Sequence, residues 1–421
     1  MTRLKTLLPA SLAALSLTAA AVGVQADDVV NVLHNQQDEK IRAAWEEIRQ
    51  DFEAQHPDIQ VNLEFQDDSA MKQRLPTLLQ SSAKPHLYWS FGGANYRTRA
   101  TSGLLADITD QADGLRENIS PGALSAFEID GRLYGAPYRL AQVGFWYNKR
   151  LFEEAGVSAD DIETWDDFLA VVQDIKDAGI TPIAAGGGER WPLHFYWTYL
   201  AMRIGGQDLF NDILADEASF DNPAYVRAGE ELQRLADLDP FQPGYLGAKY
   251  NEAANVFGNH QAAIHLMGEW DIGVQRSESE SGEGVNDDDL GYFSFPAVSG
   301  GDGDPSATLG GVDGWAFTEG NGTDAAVEWL TFFLSPENQA KLAEQDIIIP
   351  VARGAESAVQ NPHMKVIAEN IARSSWHQVF WDQALGADVG GVINDISAEL
   401  TSGDEDPEGA VERIQEAWDF R

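Results

Sequence analysis

Four tryptophans lie beside glycines, polar loops or predicted strand ends rather than at helical spacing. They are Trp89, Trp191, Trp270 and Trp381. A flat aromatic ring can stack on an apolar surface, and the C–H face of a sugar ring is such a surface. Core packing is an equally good explanation for any single tryptophan, but we expect at least two of the four to contact a ligand.

Polar side chains with planar, two-ended groups occur in the same parts of the chain. Such groups can pair with the rim of hydroxyls that a sugar presents. The candidates are Asn35, Gln36, Arg139, Gln142, Glu189, His194, Glu269, Asp313, His377 and Asp382, with Gly92 and Gly311 beside them. Three of these polar residues have a structural alternative. Asp313 could form a turn beside Gly314, His194 could stabilise a helix start, and the segment around His377 could be a helix end on the surface.

The first part of the chain alternates predicted strands and helices. Strands are predicted at 29–33, 59–65 and 86–91, with helices at 41–55 and 71–81 between them. This alternation predicts an α/β fold with a parallel sheet. Ligands of such sheets bind beyond the carboxyl ends of the strands, where Asn35, Gln36 and Trp89 would lie.

Two segments look like connections between separate lobes. Residues 134–149 begin with Gly135 and Pro137, continue through polar residues and end in a predicted strand at 143–147. Residues 310–317 form a second glycine-punctuated stretch. Because 421 residues are too many for one simple core, we expect two lobes joined by these two crossings. An ordinary surface loop before a strand remains an alternative for the first crossing.

Residues 1–26 have the organisation of a secretion signal. Arg3 and Lys5 form the basic start, an apolar run extends from 7 to 22, and Val24-Gln25-Ala26 is a small-residue cleavage site. The run is short for a membrane anchor, which is the alternative. The chain contains no cysteine, which excludes a lipid-anchored lipoprotein and disulfide bonds. We expect a mature protein that starts near residue 27, works outside the cytoplasm and is not inserted in a membrane.

The charge is strongly negative. The chain has 28 basic and 68 acidic residues, a net charge of −40, and losing Arg3 and Lys5 makes it −42. This balance argues against nucleic-acid partners and against anionic membranes. A cationic ligand or metal would be one use of the charge. A solvated acidic surface suited to a saline environment is the interpretation that we favour.

No sequence motif indicates catalysis or a bound cofactor. The chain has no Gly-x-Ser-x-Gly, His-Glu-x-x-His or phosphate-loop pattern. A glycan hydrolase would need two carboxylates across a cleft, which this acidic chain could supply by chance. A calcium loop beginning at Asp302 is disfavoured, because Ala307 replaces the turn glycine and Asp313 the final glutamate. We therefore expect no enzyme activity, no cofactor and no metal.

The order of several short motifs resembles the extracytoplasmic solute-binding proteins of ABC sugar importers, the group that includes maltose- and oligosaccharide-binding proteins. The motifs are the first crossing, Thr164-Trp165, the segments at 178–183 and 257–270, Phe293-Ser294-Phe295-Pro296, and Gly310-Gly311-Val312-Asp313-Gly314. Each is weak alone, but together they span the mature chain. The resemblance singles out Asp313, Trp191 and Trp270 as site residues, whereas Gly92-Gly93-Ala94-Asn95 lacks the charged pair that maltose-binding protein has there.

This resemblance implies a two-lobe periplasmic-binding-protein fold with discontinuous lobes joined by a hinge. The expected N-terminal lobe comprises 27–138 and 314–355, and the C-terminal lobe comprises 139–313 and 356–421. It also implies a periplasmic monomer whose lobes close around a mono- or oligosaccharide and which delivers it to the permease of an inner-membrane transporter. A receptor for a polyol or compatible solute and a secreted glycan hydrolase are the alternatives.

Overall fold

The computed structural model describes residues 28–421 except positions 37 and 120, and it does not describe the side chains at 121 and 122. The predicted secretion signal at 1–26 lies outside the described residues. Within the described part, no helix combines the length and the apolar character needed to cross a membrane.

The strands and helices alternate along most of the chain. The strands are β1 Asp28–His34, β2 Ile59–Phe65, β3 Leu87–Phe91, β4 Glu128–Ile129, β5 Arg132–Leu133, β6 Gly135–Asn148, β7 Thr181–Ala184, β8 Ala262–Gly268, β9 Leu290–Phe293, β10 Thr308–Phe317, β11 Ile349–Pro350 and β12 His377–Val379. The helices are α1 Glu39–Gln55, α2 Asp68–Leu79, α3 Ala94–Thr101, α4 Asp113–Asn118, α5 Pro121–Leu124, α6 Lys149–Ala155, α7 Trp165–Asp177, α8 Trp191–Leu214, α9 Pro223–Ala236, α10 Tyr250–Gly258, α11 Asp271–Ser277, α12 Asp324–Phe333, α13 Pro336–Glu344, α14 Pro362–Arg373, α15 Trp381–Ala384, α16 Ala387–Ser402 and α17 Pro407–Asp419.

Local chemistry explains where several helices begin. The Asp38 side chain accepts a hydrogen bond from the Ile41 amide and caps α1, whose buried face includes Trp45 and Phe52. Thr164 caps α7 and forms a reciprocal capping box with Asp167. These caps satisfy amides that have no partner inside the helix, so the sequence determines these two starts locally.

The main sheet has the strand order β2-β1-β3-β10-β6-β8-β7. β1 pairs in parallel with β2 and β3, and β7 pairs in parallel with β8. β10 is antiparallel to both β3 and β6, and β6 is antiparallel to β8. The α/β class is confirmed and the first three strands are parallel as predicted, but the complete sheet is mixed, because β6 and β10 join it in antiparallel pairs. The reason is that the chain leaves along β6 and returns along β10, so these two strands run in opposite directions.

The first crossing is one continuous strand rather than a polar loop followed by a short strand. The first half of β6 pairs with β10, and its second half pairs with β8 and β9. The register with β10 shifts next to Pro137, and Tyr138 has no opposite residue on β10. Because proline has no amide hydrogen to donate, a bulge beside Pro137 interrupts the ladder where it is already weakest.

Helices cover the two ends of this sheet in separate groups. α12 packs against β1, α1 and α4, whereas α16 packs against α8 and α9, and α17 packs against α9. Trp45 and Trp329 are buried in the first group, and Trp197 and Trp418 in the second. The last helices of the chain therefore return to the end of the sheet where α8 and α9 lie.

Candidate functional site

A cavity of about 770 Å³ opens between the two groups of helices. One wall comes from the segment after β1, the start of α2 and the end of β3. The other wall comes from the starts of α8 and α10, from α11 and from the segment before α15. The predicted site residues that line the cavity are Asn35, Gln36, Trp89, Arg139, Glu189, Trp191, His194, Trp270, Asp313 and Asp382.

The base of the cavity holds a buried cluster of opposite charges. The Arg139 guanidinium contacts Asp313 Oδ2 through Nε and Nη2, both at 2.7 Å, and its Nη1 lies 3.8 Å from Glu269 Oε1. Arg139 and Asp313 face each other on β6 and β10, immediately beside the register shift. Both crossings therefore contribute a charged side chain to the same point of the cavity.

Burial changes the proton affinity of the two carboxyl groups in this cluster. Burial raises the pKa of Glu269 to about 7, although Arg139 and the Gln142 backbone amide both act to lower that pKa. It also raises the pKa of Asp313 against the pull of Arg139. One guanidinium thus faces two carboxyl groups, and the second carboxyl group keeps its proton more readily than an exposed glutamate does.

Aromatic rings line both walls. Trp89 and Phe91 make an edge-to-face pair 4.3 Å apart on the wall formed by β3. On the other wall Trp191 is 5.3 Å from the ring of Tyr250, and the Arg139 guanidinium lies 5.7 Å over the ring of Trp270. Trp191 and Trp270 are only half-buried, so part of each ring remains available to a ligand.

Residues 36–340 match the family of bacterial extracellular solute-binding proteins. The chain belongs to this family. The match confirms the resemblance inferred from the order of the motifs.

Individual relatives agree with this assignment. An uncharacterized ABC transporter extracellular-binding protein of Pyrococcus horikoshii is 26% identical over 81% of this chain and 80% of its own. The multiple sugar-binding protein of Streptococcus mutans is 24% identical over 66% of this chain and 64% of its own. The solved structure of a chitin oligosaccharide binding protein superposes with a TM-score of 0.84 at 27% identity, covering 93% of this chain and 98% of the other. The two-lobe fold is therefore the fold of this solute-binding protein.

Six predicted residues lie outside the cavity lining of this solute-binding protein: Gly92, Gln142, Glu269, Gly311, His377 and Trp381. Trp381 is fully buried, stacks 4.6 Å from the ring of Phe210 and also packs against Trp197. Trp381 and Asp382 are consecutive on α15, so their side chains point in different directions, and Asp382 is the one that reaches the cavity.

The other five residues outside the lining have structural surroundings, and for Glu269 these are the buried charge cluster with Arg139. The Gln142 backbone amide donates to Glu269 Oε2, and His377 Nδ1 lies 2.8 Å from the Thr308 hydroxyl. An added side chain at Gly92 would meet the Ala126 carbonyl at 2.9 Å, and one at Gly311 would meet Asp313 Oδ1 at 2.6 Å. These two glycines therefore allow close packing around the site.

His194 offers a ligand an acceptor. Its Nδ1 lies 2.6 Å from the Trp191 carbonyl oxygen, which can only accept, so Nδ1 carries the proton. Burial lowers the pKa of His194 even though Asp382 lies nearby, which keeps the ring neutral. Its Nε2 has no hydrogen-bond partner in the described part of the chain and lies 3.8 Å from Asp382 Oδ1.

Sequence reasoning missed several residues of the cavity lining. They include Asp38, Lys72, Phe91, Tyr250 and Phe380. Lys72 pairs with Asp68 one helical turn earlier at 2.8 Å and lies 5.3 Å over the Phe91 ring. An acidic and a basic residue at this spacing usually indicate a solvated helix face, so this pair gave no separate signal. The described residues contain no cluster of histidine and acidic side chains arranged to hold a metal ion.

Proposed function

We propose that this chain is the periplasmic receptor of an ABC importer and that it captures a mono- or oligosaccharide. The observation that carries the proposal is the cavity itself. Two half-buried indole rings on one wall, the Trp89–Phe91 pair on the other wall and unpaired polar atoms line the same space. Rings suit the apolar face of a sugar, and Asp313 Oδ1 and His194 Nε2, which lack partners among the described residues, suit its hydroxyls.

The proposed lobes are those that the sequence predicts, 27–138 with 314–355 and 139–313 with 356–421. Ligand contacts from both walls exist together only when the lobes have closed, so the ligand shifts the population toward the closed state. The permease of the membrane transporter then recognises the closed form through surfaces on both lobes. We expect a monomer that performs no covalent chemistry and is exported through its first 26 residues.

The proposed ligand contacts come from the predicted residues that line the cavity. Trp191 and Trp270 stack on sugar rings, with Trp89 on the opposite wall. Asn35, Gln36, His194, Asp313 and Asp382 pair with hydroxyls, and Arg139 holds Asp313 in place. Sugar-binding relatives such as the multiple sugar-binding protein and the chitin oligosaccharide binding protein support a carbohydrate as the ligand.

A thermal-shift screen over neutral sugars, oligosaccharides and polyols tests this proposal. A sugar present at 100 times its Kd should stabilise the protein by about 2.7 kcal/mol, and the melting temperature should rise accordingly. The same samples are checked by chromatography for products. A response to polyols alone would replace the sugar proposal with a compatible-solute receptor, and glycan turnover would replace it with a hydrolase.

Replacing either half-buried tryptophan should lower the affinity of the protein for its sugar. Trp191→Ala and Trp270→Ala each remove a stacking surface, and we expect at least about a tenfold loss of affinity by titration calorimetry. Phe420→Ala is the matched control, because the Phe420 side chain is 89% exposed at the far end of the chain. Unchanged affinity in both tryptophan variants would contradict the proposed site.

A further inference from the structure

Both carboxylate oxygens of Glu189 accept hydrogen bonds from other groups of the protein. Oε1 accepts a hydrogen bond from the Ser69 hydroxyl at 3.0 Å, and Oε2 accepts one from the Tyr250 amide at 2.8 Å. Ser69 lies on α2, which belongs to one wall of the cavity, whereas Glu189 and Tyr250 belong to the other. The carboxylate therefore joins two walls that the chain builds from segments 120 residues apart.

The turn that carries Glu189 is fixed by close packing. An added side chain at Gly186 would meet the Tyr250 backbone at 2.9 Å, and one at Gly188 would meet the Gly247 carbonyl at 2.7 Å. The next residue, Arg190, adopts φ 65° and ψ −47°, a conformation that a residue with a side chain rarely takes. Such strain persists only where the surroundings enforce it, so the position of the Glu189 side chain is strongly specified.

These two hydrogen bonds fix the orientation of the Glu189 carboxylate, and each oxygen keeps one further acceptor site. The hydrogen bond from the Tyr250 amide lies within one wall, so it persists whether the cavity is open or closed. The Ser69 contact spans the cavity, so it exists only while the walls are close together.

We propose that Ser69 and Glu189 form a latch that closes over the bound ligand and slows its release. Glu189 is then a positioning residue that acts through the closed state. This inference rests on the proposed function, because it presumes lobe closure around a ligand. The hydrogen bond involves a charged acceptor, and it is therefore stronger than one between neutral groups.

Stopped-flow tryptophan fluorescence with a sugar found by the thermal-shift screen tests the latch. In Ser69→Ala the dissociation rate should rise by about tenfold, which is the effect of losing one charge-assisted hydrogen bond. The association rate should stay within about twofold, because the latch forms after encounter. Ser69→Thr keeps a hydroxyl and should restore the slow dissociation.

Two further variants separate the latch from a general loss of stability. Ser102→Ala removes an exposed serine at the end of α3 and should leave both rate constants unchanged. Glu189→Gln weakens the same contact from the opposite wall, so its effect and that of Ser69→Ala should not add in the double variant. The melting temperature of the ligand-free Ser69→Ala protein should equal that of the wild type.

The outcomes distinguish failure of the latch from failure of the proposed function. Wild-type dissociation in Ser69→Ala, with sugar still bound, would overturn the latch and leave the receptor proposal standing. Additive effects in the double variant would also overturn it. If no sugar binds the wild type, the proposed function fails and the latch fails with it.

Discussion

At the scale of single residues, Arg139 is the most constrained charge in the cavity. It is the only described cation in contact with both Asp313 and Glu269. Arg139→Met would leave two carboxyl groups buried without a countercharge, and we expect it to lower the free energy of unfolding by about 3–5 kcal/mol. Urea denaturation followed by tryptophan fluorescence measures this change.

Arg97→Met is the matched control for Arg139→Met. The Arg97 side chain is 56% exposed and lies 3.4 Å from the exposed Asp130, so its loss should cost less than about 1 kcal/mol. Equal losses of unfolding free energy in the two variants would show that burial does not make the Arg139 ion pair more important for stability than an exposed one.

The raised pKa of Glu269 predicts a pH dependence of stability. Its folded-state pKa of about 7 exceeds its ordinary value of 4.5, so the folded protein holds this proton more tightly than the unfolded chain does. The resulting stabilisation is complete below about pH 4.5 and is lost as the pH rises to 7. Histidines whose pKa burial lowers, such as His34, His194 and His377, oppose this trend in the wild type, so the decline is read from a comparison with a variant that cannot titrate.

Glu269→Gln provides the comparison, because glutamine does not titrate. The difference in stability between the wild type and the variant should change with pH between about 4.5 and 7 and become constant above that range. A difference that is independent of pH would mean that Glu269 titrates in the folded protein as it does in the unfolded chain.

The sequence could predict the kinds of residue at the site better than their individual positions. Trp191, Trp270 and Trp381 look alike in the sequence, since each stands next to a polar or acidic residue. Only tertiary packing separates them, because Phe210 and Trp197 enclose Trp381 while the other two rings remain half-buried. Likewise, nothing local distinguishes the Lys72 that faces the cavity from any other helical lysine.

At the scale of elements, glycines set the spacing between the two crossings. An added side chain at Gly310 would lie 1.8 Å from the Ala141 carbonyl oxygen, and one at Gly314 would lie 2.1 Å from that of Ala136. Gly310→Ala must therefore separate β10 from β6, and we expect a loss of at least about 2 kcal/mol in unfolding free energy. Thermal and urea unfolding measure it.

Gly391→Ala is the control for the glycine variant. Gly391 lies inside α16, and an added side chain there would meet no atom within 4 Å. Because alanine favours helix more than glycine does, this change should stabilise the protein by about 0.5–1 kcal/mol. A similar loss of unfolding free energy in Gly310→Ala and Gly391→Ala would argue against the close approach of β6 and β10.

Most elements could be predicted from the sequence, because their patterns and caps are local. β2 has the predicted bounds, and α1 begins at Glu39, two residues before its predicted start and directly after the capping Asp38. β6 could not be predicted in full, since its first half carries the polar residues Arg139 and Gln142 that suggest a loop. The Arg139 side chain is buried beside Asp313, which β10 supplies from far along the chain.

At the scale of the whole molecule, the net charge of −40 predicts that salt stabilises the protein. Exposed carboxylates repel one another, and the Debye length falls from about 10 Å at 0.1 M salt to about 3 Å at 1 M. The melting temperature should therefore rise with NaCl concentration. Choline chloride at equal ionic strength should produce the same rise, because screening does not depend on the identity of the cation. A melting temperature that does not change with NaCl concentration would contradict this account.

The continuous pairing of β6 with β10 has a consequence for how the molecule moves. In the proposed division a backbone ladder of β6 with β10, flanked by β11 at 139–140, joins the two lobes. The proposed closure therefore requires this paired ribbon to twist. Deuterium uptake at the backbone amides of 139–142 and 310–312 should consequently be as slow as uptake in β8, even in a protein that opens and shuts freely. The amide of Tyr138, which has no opposite residue on β10, should exchange faster than the amide of Arg139.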